Sequence, residues 1–264
     1  MRAFQQSLIP QSCQRLLAAV GFGIVMVSAS ATPSLPQNGV EYHTLEKPQN
    51  IEPGKKVEVT EFFWYACPHC FALEPALADW VKKQGDTIVF KRVPVHFRDS
   101  FIPQQKMYYA LEAMGKSEEL QKKIFTAIHV DRQHLDTEPE IMEFIGRQPG
   151  IDKQKFVDLF NAFGTQAKVR RALSLQDAYR IDSVPNLAID GKYMTSPALA
   201  GASLGSQPEA AQGTAAVQVL DVLVAKARLE RNGATTLASA APAAHTAITA
   251  PNKMLTPAKD PSKR

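Results

Sequence analysis

Cys67 and Cys70 are separated by Pro68 and His69 and preceded by the aromatic run "EFFWYA" from Glu61 to Ala66. Two thiols at this spacing can staple a loop, furnish half of a metal site, or act as a redox pair. A bridge between them closes almost no chain, and the stabilisation a disulfide provides grows with the loop it closes. A structural zinc site takes about four ligands, usually with a second Cys or His pair at similar spacing. His129 and His134 fall in a stretch of helical character, while His43 and His96 stand alone, so no second pair exists. No metal and no cofactor are therefore expected. The redox reading explains position as well as spacing, because the tetrad follows a strand pattern and opens a helical one. Cys67 then stands at a helix N-terminus, where unpaired N–H groups and the helix dipole favour a thiolate. Cys70, one turn further in, is placed to attack a mixed disulfide formed at Cys67.

Two further residues bear on this chemistry. Val57, Val59, Glu61 and Phe63 share one face of the strand, so Glu61 interrupts an apolar row. Its carboxylate is either buried near the cysteines or at a wet strand end, and Phe62, Phe63 and Trp64 around it favour burial. A buried acid beside a dithiol can relay the proton of the second thiol. Pro185, after Val184, precedes an apolar strand. It is either an ordinary strand-start proline or part of a cis Val–Pro bond facing the cysteines, and the sequence leaves both open.

The elements that must position these residues follow from periodicity. "KKVEVTEFFWY" alternates as a strand does, after a Pro-Gly break at 53–54. "FALEPALADWVKKQG" is helical, with Leu73, Leu77, Trp80 and Val81 on one face and Pro75 marking a kink or a restart. "TIVFKRVPVHF" is a second strand in the same sense, which makes 57–97 a βαβ unit. Helices are predicted over 103–114, 117–130, 138–147, 153–162 and 165–180. "SVPNLAIDGKYMT" returns to strand, turning at Asp190-Gly191, and a last amphipathic helix covers 212–231. The order β-α-β, helical block, β-β, α describes an α/β domain interrupted by an all-helical insertion.

The ends and the charge set the context. Arg2 and Arg15 are the sole charges among the first 31 residues, and the apolar run "LLAAVGFGIVMV" leads to Ala29-Ser30-Ala31. This reads as a cleaved secretory signal over 1–31, since twelve apolar residues fall short of the roughly 20 that a spanning helix needs. Cleavage there removes Cys13 and leaves 233 residues, with 28 basic against 26 acidic side chains, a net charge of +2. Such a balance is no footprint for nucleic acid. Residues 32–40 form a short polar leader. Residues 232–264 are rich in Ala, Pro, Thr and Lys without amphipathic period and are expected to be disordered.

"YHTLEKP" (42–48), "TEFFWYACPHC" and "SVPNLAIDGKY" together resemble the DsbA family of periplasmic thiol:disulfide oxidases of Gram-negative bacteria. The resemblance spans about residues 41–231. It implies a thioredoxin-like fold, with 41–97 and 182–231 forming the thioredoxin-like domain and 98–181 the inserted helical domain. It further implies that Cys67 and Cys70 form the redox-active disulfide, that Pro185 is the cis-proline opposite it, and that Glu61 is the family's buried acid. The implied partners are unfolded exported proteins with free cysteines and a DsbB-like membrane quinone reductase. The chain is read as a periplasmic monomer. Val184 is expected to offer its backbone to a client strand. His69, between the cysteines, is the expected side-chain contributor to thiolate stability. Departures from the family pattern are the long tail after Asn232 and the Trp64-Tyr65-Ala66 preceding the tetrad. The rival readings are an isomerase or reductase on the same fold and a secreted metal-binding protein. Isomerases of this kind carry an N-terminal dimerisation domain, for which the 35 residues from Thr32 to Ala66 leave no room.

Overall fold

The computed structural model describes residues 35–52 and 54–240; the expected signal, Cys13 and the chain beyond Ala240 lie outside the described residues. In chain order the elements are β1 (His43–Thr44), β2 (Val57–Phe63), α1 (Pro68–Gln84), β3 (Ile88–Pro94), α2 (Ile102–Ala113), α3 (Ser117–His129), α4 (Glu138–Gly146), α5 (Lys153–Asn161), α6 (Phe163–Ala178), β4 (Asn186–Ile189), β5 (Tyr193–Thr195), α7 (Pro197–Ala200) and α8 (Glu209–Ala240). The five strands form one sheet in the order β1-β5-β4-β2-β3. β2 runs parallel to β3 and antiparallel to β4. The β-α-β unit supplies the parallel pair, and the Asp190-Gly191 hairpin joins β4 to β5 as a second antiparallel pair; both turn residues have positive φ, 57° and 64°.

β2 is an inner strand, between β4 and β3, and is buried along nearly its whole length. On one side of the sheet Val57, Val59, Leu187 and Ile189 pack with Leu73, Leu77 and Trp80 of α1 and Leu220, Leu223 and Val224 of α8. Trp80 Nε1 donates to Asp221 Oδ1 at 2.8 Å, tying these two helices together. The helical block α2–α6 has its own aromatic and aliphatic core, in which Leu111, Leu120, Phe125, Phe156 and Phe160 are fully buried. That core is continuous with Phe62, Phe63 and Tyr65 at the C-terminal end of β2. The active-site end of the sheet therefore rests on the insertion, and this is the thioredoxin-like fold with an inserted all-helical domain.

The structure departs from the sequence expectations in three places. α1 passes through Pro75 without interruption. Pro75 lies on the exposed face, while Leu73, Leu77 and Trp80 anchor the turns on either side; tertiary packing outweighs one missing hydrogen bond. α8 continues past the break expected at Asn232, to Ala240. The segment "NGATTLASA" is rich in alanine, and extending a helix already formed avoids the cost of nucleation. β1 and α7 were not anticipated, being too short to show a period. α7 nonetheless carries a local signal, Ser196 capping Leu199 N at 3.2 Å and Pro197 in the first turn.

Candidate active site

Cys67 is the N-cap of α1, with extended backbone (φ −81°, ψ 117°), and Pro68 opens the helix where its missing N–H is not needed. The Cys67 N–H donates to Trp64 O at 3.0 Å, which closes the turn out of β2, and Cys67 O accepts the first helical bond from Phe71 N. Both cysteines are free thiols. Cys67 keeps 6 % of its surface and Cys70 none. Cys67 is thus the more accessible of the two, yet it is itself largely buried. Val184 O, in the loop before β4, lies 3.5 Å from Cys67 Sγ. The Val184–Pro185 peptide bond is cis.

The two thiols are pushed in opposite directions. Cys67 is lowered to about 6, chiefly because the Cys70 S–H donates to its thiolate; the backbone N–H groups of Cys70 and His69 add to this, against the cost of burial. Cys70 is pushed well above the ordinary thiol range, first by burial, then by its bond and charge opposition with Cys67 and by the nearby Glu61. His69 acts on Cys67 in the expected direction, but as the last of several causes. Its charge is the smallest of the contributions to Cys67, and its ring Nδ1 is held 2.7 Å from Glu209 Oε1, on the first turn of α8. His69 and Pro68 are both exposed. The helix N-terminus supports the thiolate as expected, and the second thiol adds the largest contribution.

Glu61 is fully buried, as its apolar row suggested, but it is not an isolated carboxylate. Glu61 Oε2 accepts from Arg92 Nε at 2.8 Å. The same guanidinium reaches Glu74 of α1 at 3.3 Å and Glu118 of α3, so one cation serves three carboxylates contributed by β2, α1 and the helical insertion. Arg92 is 4 % exposed, Glu74 6 % and Glu61 0 %. Were all three acids ionised the group would carry a net charge of −2, in a place where charge is costly. The carboxyls respond accordingly. Burial raises Glu61 despite Arg92, and burial raises Glu74 to about 8. The other Glu61 oxygen, Oε1, is buried with no hydrogen-bond partner among the described residues.

Arg92 and Glu74 were missed in the sequence, although each left a trace. In the parallel register Glu61 faces Arg92, just as Val57 faces Ile88 and Val59 faces Phe90. Arg92 therefore interrupts the face of β3 as Glu61 interrupts that of β2. Glu74 stands four residues after Cys70, on the buried face of α1 with Leu73 and Leu77. Glu118 and Glu209 leave no such trace, being ordinary acids in the first turns of α3 and α8.

A thiolate-prone cysteine, a high-pKa thiol one turn behind it and a proton-holding acid cluster beneath can exchange a disulfide and manage the proton this involves. Comparison with known proteins agrees. Residues 58–208 match the family described as DSBA-like thioredoxin domain. The chain is 42 % identical over 206 residues to the thiol:disulfide interchange protein DsbA of Burkholderia cepacia, covering 78 % of this chain and 92 % of that one. It is 37 % identical over 214 residues to the DsbA of Bordetella pertussis, covering 81 % and 96 %. Among solved structures, Pseudomonas aeruginosa DsbA superposes with a TM-score of 0.64 at 31 % identity, covering 75 % of this chain and 95 % of that one. An oxidoreductase DsbA from Xylella fastidiosa gives 0.64 at 25 % identity, covering 74 % and 99 %. With most of each relative spanned and the same fold beneath the dithiol, the chain belongs to the DsbA-like thioredoxin family.

Proposed function

We propose that this thiol:disulfide oxidoreductase works as an oxidase, donating a Cys67–Cys70 disulfide to proteins exported to the periplasm. The observation that carries the direction is the depressed Cys67 thiol at the α1 N-terminus, lowered to about 6. A protein that stabilises its own thiolate favours its reduced form, and so gives its disulfide away.

A client thiolate attacks Cys67 Sγ. The client–Cys67 bond forms as the Cys67–Cys70 bond breaks, and the electron pair leaves on Cys70, which takes up a proton. A second client thiolate then attacks the client's own sulfur, and Cys67 departs as the thiolate. The client has lost two electrons and the dithiol has gained two. Glu61, buried close to Cys70 and held by Arg92, supplies the proton that Cys70 takes. Reoxidation runs the other way. Cys67 forms a mixed disulfide with a DsbB-like membrane quinone reductase, Cys70 attacks the Cys67 sulfur, and its proton returns to Glu61. The attack by Cys70 foreseen from the sequence belongs to this return half. Val184 and Pro185 line the site beside Cys67 and present an edge against which an extended client segment can lie. Every group in this scheme comes from one chain, which suits a monomer, and the catalytic pair and cis-proline fall in the segments 41–97 and 182–231, flanking the 98–181 insertion.

Equilibration with mixtures of reduced and oxidised glutathione tests the reading. The dithiol is expected to be largely reduced even where oxidised glutathione is abundant. A dithiol that remains oxidised when most glutathione is reduced would make the protein a reductant and overturn the proposal.

A further inference from the structure

Beside the cis-proline loop lies a cavity of about 320 Å³, bounded by Leu73 and His69 of α1, Val184 and Pro185, Pro197 of α7, and Glu209 of α8. Its size is at the lower end for binding pockets, suited to a side chain rather than a cofactor. Its walls are mostly apolar, from Ala72, Leu73, Val184, Pro185, Pro197 and Ala198. The charge is at one side: Glu209 is the sole carboxylate in the lining, and its side chain is 48 % exposed. Asp182, accepting from the lining Ser183 Oγ at 3.0 Å, adds a second negative group at the margin. Apolar walls ending in a carboxylate match a Lys or Arg side chain, whose aliphatic stem packs while the charged head reaches the rim.

We propose that this cavity receives a basic side chain next to the reactive cysteine of a client, and that Glu209 is the residue that selects it. This rests on the oxidase reading above and names a preference within it. In the free protein His69 occupies Glu209 at 2.7 Å. An incoming Lys or Arg competes for that carboxylate, and the exposed His69 ring can turn into solvent. Half-exposed ion pairs are modest, so the preference should be about two- to fivefold, and it should weaken as salt screens it.

The test uses the oxidised full-length protein and synthetic peptides with one cysteine, flanked on either side by Lys, norleucine or Glu. The second-order rate of reduction of the protein by each peptide is measured in wild type and in Glu209→Gln. The Lys-to-norleucine ratio, taken within each protein, cancels any change the substitution makes to the thiols themselves. Wild type at low salt should favour Lys two- to fivefold and disfavour Glu, with both preferences falling towards unity in Glu209→Gln and at high salt. An equal ratio in the two proteins, or no preference in wild type, overturns the proposal while leaving the oxidase reading intact. A norleucine peptide that fails to reduce the protein at all overturns the oxidase reading, and this proposal with it.

Discussion

Replacing Cys70 by alanine should raise the pKa of Cys67 more than any change at His69. Cys70 S–H is the largest cause of the lowering of Cys67 to about 6, whereas the charge of His69 is the smallest. A hydrogen bond to a charged group contributes about 1.5–3 kcal/mol, and one pKa unit corresponds to about 1.4 kcal/mol. Cys70→Ala should therefore move Cys67 up by about one to two units, to roughly 7–8. The thiolate fraction at pH 7 would fall from about nine-tenths to between about a half and a tenth. Cys70→Ser retains a donor at the same place and should recover much of the shift. The assay is thiolate ultraviolet absorbance against pH, on protein lacking residues 1–31 so that Cys67 is the sole thiol of the alanine variant. Alkylation rates are a poorer readout, because nucleophilicity rises with pKa and masks part of the lost thiolate. A midpoint unchanged in Cys70→Ala, or a larger shift in His69→Ser, would refute the reasoning.

The acid cluster yields two further expectations. Arg92→Met removes the cation from Glu61 and Glu74 and should cost about 3–5 kcal/mol in denaturant unfolding, with Arg92→Lys losing less; equal midpoints for wild type and the Met variant would show the carboxyls to be protonated and indifferent to it. Glu61→Gln should slow reoxidation by the membrane partner and weaken its pH dependence, while leaving the Cys67 titration nearly in place; unchanged rate profiles would reduce Glu61 to a structural residue. Linkage gives the last expectation. The folded Cys67 pKa is depressed, so its contribution to the reduced form is fully present above the unfolded thiol pKa and is lost as pH falls through about 6. At pH 7 it is worth about 1.4 kcal/mol, or about 30 mV in potential. The stability advantage of reduced over oxidised protein should grow from pH 6 to about pH 8 and level off where the raised Cys70 thiol offsets the remaining gain, and a pH-independent difference between pH 6 and pH 8 would contradict it.

The local features of this protein are written in adjacent residues. Period-two alternation over Val57–Phe63, the Cys-Pro-His-Cys tetrad at the start of a helical pattern and the Asp190-Gly191 turn are each decided within a few residues. They were enough to assign a redox pair on a β-α-β unit interrupted by helices, and to place Glu61 in a buried row. What they could not decide was which distant groups come within bonding distance. Glu61 meets Arg92 because two parallel strands align in a particular register. Glu118 reaches that guanidinium from the helical insertion, and Glu209 reaches His69 from the last helix. The Val184 carbonyl, from a loop far along the chain, comes within 3.5 Å of the Cys67 sulfur. Periodicity records which face of an element is apolar, but a surface acid such as Glu118 or Glu209 looks the same in sequence whether it faces water or a partner. That choice is made by the packing of elements, and here it set His69 against Glu209 of the last helix and Glu61 against Arg92.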